Sequence, residues 1–351
     1  MAARTRACSS ATAAPPFVAD STSPAESPRV LAGVDEAGLG PLLGPLTIGF
    51  AAFAVPPGLD DLWRALASAV CREPGRDGQR LVVADSKLVF TRNPRGERRL
   101  ESTALAFLAL AHPAQRPPRS GAELARAALG LERDHDDFLR QPWSPHLPTA
   151  LPRAAQPSAL EEHIRALSAA LARADVELVG IGARALAPDA LNASFERTQN
   201  KARTHWDTSA PVLRHLWDRH AARGLAVLVD RHGGRMRYAP FLREAFPEAT
   251  VAIQAEAPAR SEYLVSSQSR TMRIAFAEKA DRGSFAVALA SCLAKYVRET
   301  CMHAFNAYFE RISPGLRPTA GYTTDGWRWL RDAEGAIERS GIPRSALVRS
   351  R

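Results

Sequence analysis

The residues best suited to chemistry are Asp35 and Glu36, where an apolar run ends and a glycine-rich segment begins, Gly38-Leu39-Gly40-Pro41-Leu42-Leu43-Gly44-Pro45. Neighbouring side chains on a strand point to opposite faces. The two carboxylates can share a site only where the backbone twists into the turn, and only if a cation offsets their repulsion. A divalent metal bound by oxygen ligands is the usual solution. A solvated strand end would carry the same pair. A dinucleotide-binding loop fits less well: the spacing is G-x-G-x-x-x-G, no helix pattern follows, and two carboxylates would repel a pyrophosphate.

Further candidates lie along the chain. Leu225-Ala226-Val227-Leu228-Val229 is a continuous apolar run of the buried-strand kind. It ends at Asp230, before Arg231-His232-Gly233-Gly234-Arg235. An acid there is placed as α/β sheets place ligand sites, though an N-cap or turn residue would look alike. Asp85-Ser86-Lys87-Leu88 offers a lysine for a phosphate, or a capped turn. Ser291, Lys295 and Glu299 form one stripe of the longest helical pattern, Ser284 to Phe309. Lys295 and Glu299 also fit a plain i,i+4 surface pair. Asp134-His135-Asp136-Asp137 reads as a solvated acidic patch rather than a metal loop.

These residues need a framework. Arg29 to Val55 reads as two antiparallel strands around the Gly38 to Pro45 turn. Helices are expected at 60–72, 99–111, 122–131 and 159–174, a strand at 176–186, and helices from Pro188 to about Arg203 and from Pro211 to Arg223. Short strands follow at 250–254, 263–267 and 271–276, and the last helix runs from about Gly321 to Glu338. This order suggests a layered α/β domain. The stretch 112–158, rich in Pro, Arg and Asp, reads as an insertion.

Among 351 residues, Lys and Arg number 46 against 37 Asp and Glu, a net charge of +9. That balance favours a polyanionic partner such as nucleic acid, although an arginine-rich proteome would also produce it. Cys8, Cys71, Cys292 and Cys301 form no C-x-x-C pair, which argues against zinc and against a disulfide framework. No apolar run reaches the roughly 18 residues of a membrane span. Residues 1–28, rich in Ala, Ser, Thr and Pro, lack the apolar core of a signal peptide and read as a disordered tail. A cytoplasmic monomer is expected.

Taken together, the motifs resemble those of type 2 ribonuclease H (ribonuclease HII). The family's D-E-A-G-[RK]-G-P stands here as Asp35-Glu36-Ala37-Gly38-Leu39-Gly40-Pro41, and its D-S-K-x-L as Asp85-Ser86-Lys87-Leu88. Its I-N-x-x-x-A helix is similar to Leu191-Asn192-Ala193-Ser194-Phe195, and its V-D-G strand end to Val229-Asp230. Its A-S-I-x-A-K-V-x-R-D helix resembles Ala290 to Glu299, and its late G-Y-x-T resembles Gly321-Tyr322-Thr323-Thr324. Leu39 departs from the family by replacing a basic residue. Glu299 stands in place of the usual aspartate, a change that the related type 3 enzymes tolerate. The intervals between motifs are long, consistent with insertions at about 112–158 and 231–276.

The resemblance implies a ribonuclease H-like fold over residues 29–312, a central mixed sheet flanked by helices with a small β extension, followed by a helix and basic tail at 313–351. It implies hydrolysis of the RNA strand of an RNA/DNA hybrid, or of ribonucleotides embedded in DNA. Asp35, Glu36, Asp230 and Glu299 would hold two Mg²⁺ or Mn²⁺ ions. Gly38, Leu39, Gly40, Ser86, Lys87, Lys295, Arg298 and Tyr322 would contact nucleic acid. A binding homologue with a decayed metal site, or a DNA-directed nuclease of the same fold, would share much of this pattern.

Overall fold

The glycine turn joins two antiparallel strands, β1 (Val30–Ala37) and β2 (Leu46–Ala54), paired from Val30↔Ala54 to Ala37↔Thr47. This is the hairpin expected from the alternation of apolar runs and glycines. The computed structural model of the chain describes residues 30–75, 78–128 and 139–350. The 1–28 tail and the Asp134 to Asp137 stretch lie outside the described residues.

A two-residue parallel ladder, β3 (Val70–Cys71) with β4 (Leu81–Val82), stands apart from the main sheet. The remaining strands are β5 (Glu177–Leu186), β6 (Leu225–Asp230), β7 (Thr250–Glu256), β8 (Arg260–Ser266) and β9 (Thr271–Ala277). With β1 and β2 they form a seven-stranded sheet in the order β5-β2-β1-β6-β9-β8-β7. β1, β6 and β9 run parallel, and the other pairings are antiparallel. This is the mixed sheet that the resemblance implies. The three strands at 250–277 continue the main sheet, with β9 hydrogen-bonded directly to β6.

Helices cover both faces. The long ones are α1 (Pro94–Ala111), α2 (Pro157–Arg173), α3 (Pro188–Thr198), α4 (Lys201–His220) and α5 (Phe285–Ile312), followed by α6 (Thr323–Asp332). The alternation of β2 divides the core. Leu46, Ile48, Phe50 and Ala52 pack with Trp206, Leu213 and Trp217 of α4. Ala51 and Phe53 face the opposite layer, with Phe107 of α1, Leu167 of α2 and Phe285 of α5. Leu124, Trp143, Leu147 and Leu151 join that second cluster. The described part of the 112–158 insertion therefore contributes to the core, because these apolar residues find a helix face to cover. Buried Glu101 fixes it further by accepting hydrogen bonds from the amides of Arg153, Ala154 and Ala155 and from the Tyr296 hydroxyl.

Two local expectations fail for identifiable reasons. The helical pattern at 60–72 shortens to Leu62–Ala65, since Val70 and Cys71 are taken into the β3–β4 ladder. The break expected before Pro211 does not occur: α4 runs through it. A proline leaves carbonyls of the preceding turn without a partner, and here the Arg184 guanidinium supplies it, donating to Asp207 O and Thr208 O at 3.4 and 3.0 Å. The helix instead begins afresh at Asn200, whose side chain caps the Arg203 amide, after Gln199 adopts the left-handed conformation that ends α3.

The helix α5 lies closest to the sheet, because glycines remove side chains beneath it. A Cβ at Gly33 would stand 2.1 Å from Val287 N, and one at Gly49 would stand 2.2 Å from Ala290 O. Both obstacles are backbone, so neither can swing aside. Among the described residues no helix is long and apolar enough to cross a membrane. Gly49→Ala is expected to lose about 3 kcal/mol of stability through overpacking, measured as a lower urea midpoint with unchanged slope. A loss below about 1 kcal/mol would mean that α5 does not depend on this close approach.

Candidate metal centre

The parallel pairing of β1 with β6 ends at Val34↔Val229. The next residues, Asp35 and Asp230, therefore sit side by side at the C-terminal ends of adjacent strands, about 4.8 Å apart by strand spacing. Ligand oxygens of Asp35, Glu36 and Asp230 lie within 4.8 Å of one another. Asp35 is buried, while Glu36 and Asp230 are half-buried. Two hydrogen bonds aim the acids: the Glu36 amide donates to Asp35 Oδ1 at 2.7 Å, and the Ala280 amide donates to Asp230 Oδ1 at 2.9 Å.

Burial, then the charges of Glu36 and Asp230, hold the Asp35 carboxyl well above its usual range. Burial and the Asp230 charge raise Glu36 to about 8, and burial raises Asp230. Among the described residues no lysine or arginine forms an ion pair with them. His205 Nε2 stands 3.7 Å from Glu36 Oε2, but burial and Arg235 push its pKa down to about 4, so it is neutral at pH 7. The charge of Lys87 favours ionised Glu36 and Asp230 without contacting them. Three clustered carboxylates with raised pKa values and no ion pair of their own form a donor set suited to a hard divalent cation.

A further acid, Asp281, stands near this group, and Glu299 is not among the three carboxylates whose oxygens converge. The Ala280 amide that binds Asp230 sits in a 3₁₀ turn, Ala280–Arg282, and the next residue, Asp281, is buried there. Asp281 raises Asp35, and burial, Asp85 and Asp230 raise Asp281 to about 6. It escaped the sequence reading because it lies in the short connection before α5, outside any strand or helix pattern. The available signal was an acid placed just before a long helix.

Glu299 stands elsewhere. Its carboxylate pairs with Lys295 Nζ at 2.5 Å and lines a cavity of about 290 Å³ with Glu101, Tyr296 and Thr300. One residue earlier, Arg298 faces the glycine turn, and Glu299 is about 100° further round the helix. Lys295 and Glu299 do form an i,i+4 ion pair, with Lys295 buried and not on the surface.

The proposed nucleic-acid contacts also divide. Leu39 and Gly40 are exposed at the tip of the turn, Tyr322 is 44% exposed, and Lys87 is exposed. Ser86 is buried, with its amide against Ser291 Oγ at 3.3 Å. The Lys295 ammonium lies 4.8 Å from the Phe90 ring centroid and 5.9 Å from that of Tyr322. Arg298 is fully buried, and its guanidinium donates to the carbonyls of Pro45, Leu43 and Ala320. It holds the turn from below, its guanidinium taken up by these carbonyls. Gly38 is required twice: its φ is +89°, and a Cβ would meet the Arg298 side chain at 2.8 Å. A cavity of about 750 Å³, lined by the Leu39–Pro41 turn, Phe195, His205, Arg235 and Arg349 among others, reaches the carboxylates only through His205, beside Glu36; none of the acids lines it.

No protein-family profile matches the chain, and no curated protein matches it. Among solved structures it is similar to the RNase HII of Archaeoglobus fulgidus, solved as a PCNA complex, at 16% identity over 92% of this chain and 94% of that one, with a TM-score of 0.39. The ribonuclease H2 of Pyrococcus horikoshii OT3 is similar at 15% identity over 91% and 92%, with a TM-score of 0.37. Bst-RNase HIII, solved with Mn²⁺, is similar at 12% identity over 91% of this chain and 66% of that one, with a TM-score of 0.38.

Metal binding gives a test without any substrate. Glu36 has a folded pKa of about 8, above its ordinary 4.5. In metal-free protein its stabilising contribution is therefore full below about pH 4.5 and is lost as pH rises towards 8. Protons compete with the cation, so Mn²⁺ should raise the melting temperature more at about pH 8 than at about pH 5.5. Asp281→Asn should shrink the Mn²⁺ shift, and Glu299→Gln should leave it unchanged. Equal shifts at both pH values would place Mn²⁺ away from these carboxylates.

Proposed function

We propose that this chain is a metal-dependent endoribonuclease that hydrolyses the RNA strand of RNA/DNA hybrids, or ribonucleotides embedded in DNA. The observation that carries the proposal is the convergence of Asp35, Glu36 and Asp230 within 4.8 Å at the ends of two parallel strands. A cavity with the glycine turn on one wall and His205, the neighbour of Glu36, on another gives a substrate room near them. The net charge of +9 suits a polyanionic substrate.

In this reading Asp35, Glu36 and Asp230 hold Mg²⁺ or Mn²⁺, and Asp281 takes the place first given to Glu299. Bound divalent ions supply charge stabilisation on the attacking and leaving oxygens and acidify the attacking water. The protein's own part is positional. The amides of Glu36 and Ala280 fix two of the carboxylates before any ion arrives. The exposed Leu39–Gly40 tip brings backbone to the substrate, where a 2′-hydroxyl distinguishes RNA from DNA. Tyr322 offers an exposed ring on which a sugar or base can lie, and Lys87 adds positive potential. Leu39 contributes no cation, which weakens hybrid binding relative to an arginine there.

Duplexes carrying one, four and many ribonucleotides, assayed with Mg²⁺ and with Mn²⁺, test the proposal. Asp35→Asn and Asp230→Asn should each lower kcat on the order of 10³-fold, as loss of a principal electrostatic group does. Glu299→Gln should cleave like wild type, and Leu39→Arg should bind hybrid more tightly. Cleavage of all-DNA junctions with hybrids untouched would point to a DNA-directed nuclease. Binding without cleavage under either metal would point to a homologue that has lost its chemistry.

A further inference from the structure

The segment 345–350 returns across the molecule to the glycine turn. Val348 pairs with Leu43 in an isolated antiparallel bridge, and the Arg349 amide donates to Leu42 O at 3.0 Å. Buried Asn192 of α3 fastens this segment from the other side. Its Nδ2 donates to Ser345 O and Val348 O, both at 2.8 Å, and its Oδ1 accepts from the Ser350 amide at 2.6 Å.

The Arg349 side chain is 8% exposed, and its partners are peptide carbonyls of the turn. Nε and Nη2 donate to Gly44 O at 2.9 and 2.5 Å, and Nη1 donates to Gly38 O. The two ends of the turn are thus tied to one rigid guanidinium. Arg298 holds the carbonyls of Leu43 and Pro45, and Gly321 O accepts from the Leu42 and Leu43 amides. Arg349 alone reaches the Gly38 end among these contacts, next to the exposed tip at the mouth of the 750 Å³ cavity.

We propose that Arg349 is a positioning residue that sets the Gly38–Gly44 turn from inside and makes its tip a better hydrogen-bond donor. The second part follows from the peptide unit. Gly38 C=O and Leu39 N–H belong to one amide, and a cation on the oxygen polarises the unit, strengthening the N–H as a donor. Arg349 thereby brings positive character to the turn at the position where the Leu39 side chain has none. A lysine cannot do this, because an ammonium lacks the planar fork that spans both carbonyls. The catalytic consequence rests on the nuclease reading above; the structural one does not.

The experiment has two arms, both on the full chain. Hydrogen exchange of peptides covering 38–46 is measured without substrate, and kcat and KM are measured on an RNA/DNA hybrid. Arg349→Ala should speed exchange in 38–46 and lower kcat/KM by about tenfold to a hundredfold, the scale of a misplaced binding group. Free guanidinium should restore part of both, and Arg349→Lys should restore neither. Asn192→Ala, which loosens the same segment, should act in the same direction more weakly; with Arg349→Lys it carries the test if Arg349→Ala does not fold. Wild-type exchange at 38–46 in Arg349→Ala would overturn the proposal, whatever its activity, as would Arg349→Lys matching wild type in both arms. A wild-type protein that cleaves no ribonucleotide substrate would defeat the nuclease reading alone, and the exchange arm would still decide the role of Arg349.

Discussion

Like charges that a folded chain forces together are the constraint on which this structure turns. Just past the last β1–β6 pair each strand carries an aspartate, and Glu36 adds a third carboxylate within 4.8 Å. Burial raises the pKa of all three, and neighbouring carboxylates raise them further, Glu36 and Asp230 acting on Asp35, Asp230 on Glu36, and Asp85 and Glu278 on Asp230. Such an arrangement costs free energy on folding. It persists because strand pairing and the adjoining core leave the acids nowhere else to go.

That core is correspondingly stiff. The apolar registers of β1, β2 and β6 are closed on one side by α4 and on the other by α5. Gly33 and Gly49 let α5 approach until backbone touches backbone. The sheet end therefore cannot relax outwards to separate the charges. Amides, rather than counter-ions, orient the acids: Glu36 N on Asp35 and Ala280 N on Asp230. Amide donors align a carboxylate without neutralising it, which leaves its charge available to a cation.

The glycine turn is held by a different means. Buried guanidiniums occupy its carbonyls, Arg298 from α5 and Arg349 from the 345–350 segment. Arginine satisfies several acceptors from one rigid plane, which suits a turn whose carbonyls point inward. This explains why a residue in a family-like helical motif, Arg298, serves the frame instead of the substrate. It also explains the glycine at 38, where both a positive φ and the arginine side chain exclude a Cβ.

Local sequence determined the parts of this protein that depend on neighbours in the chain. The hairpin, the buried run ending at Asp230, and the acids Asp35 and Glu36 were all legible, because strand alternation and turn residues act within a few positions. So was the layered α/β class. Partnership across long separations was not. The carbonyls that α4 leaves at Pro211 are met by Arg184 of β5, and the packing of the described part of the 112–158 insertion needed a helix face to receive it. The placing of Glu299 and Asp281 was likewise tertiary. Helical spacing gives a stripe but not the direction in which it faces, and only the docking of the Ala280 turn onto Asp230 brings Asp281 to the carboxylates while α5 turns Glu299 towards Lys295.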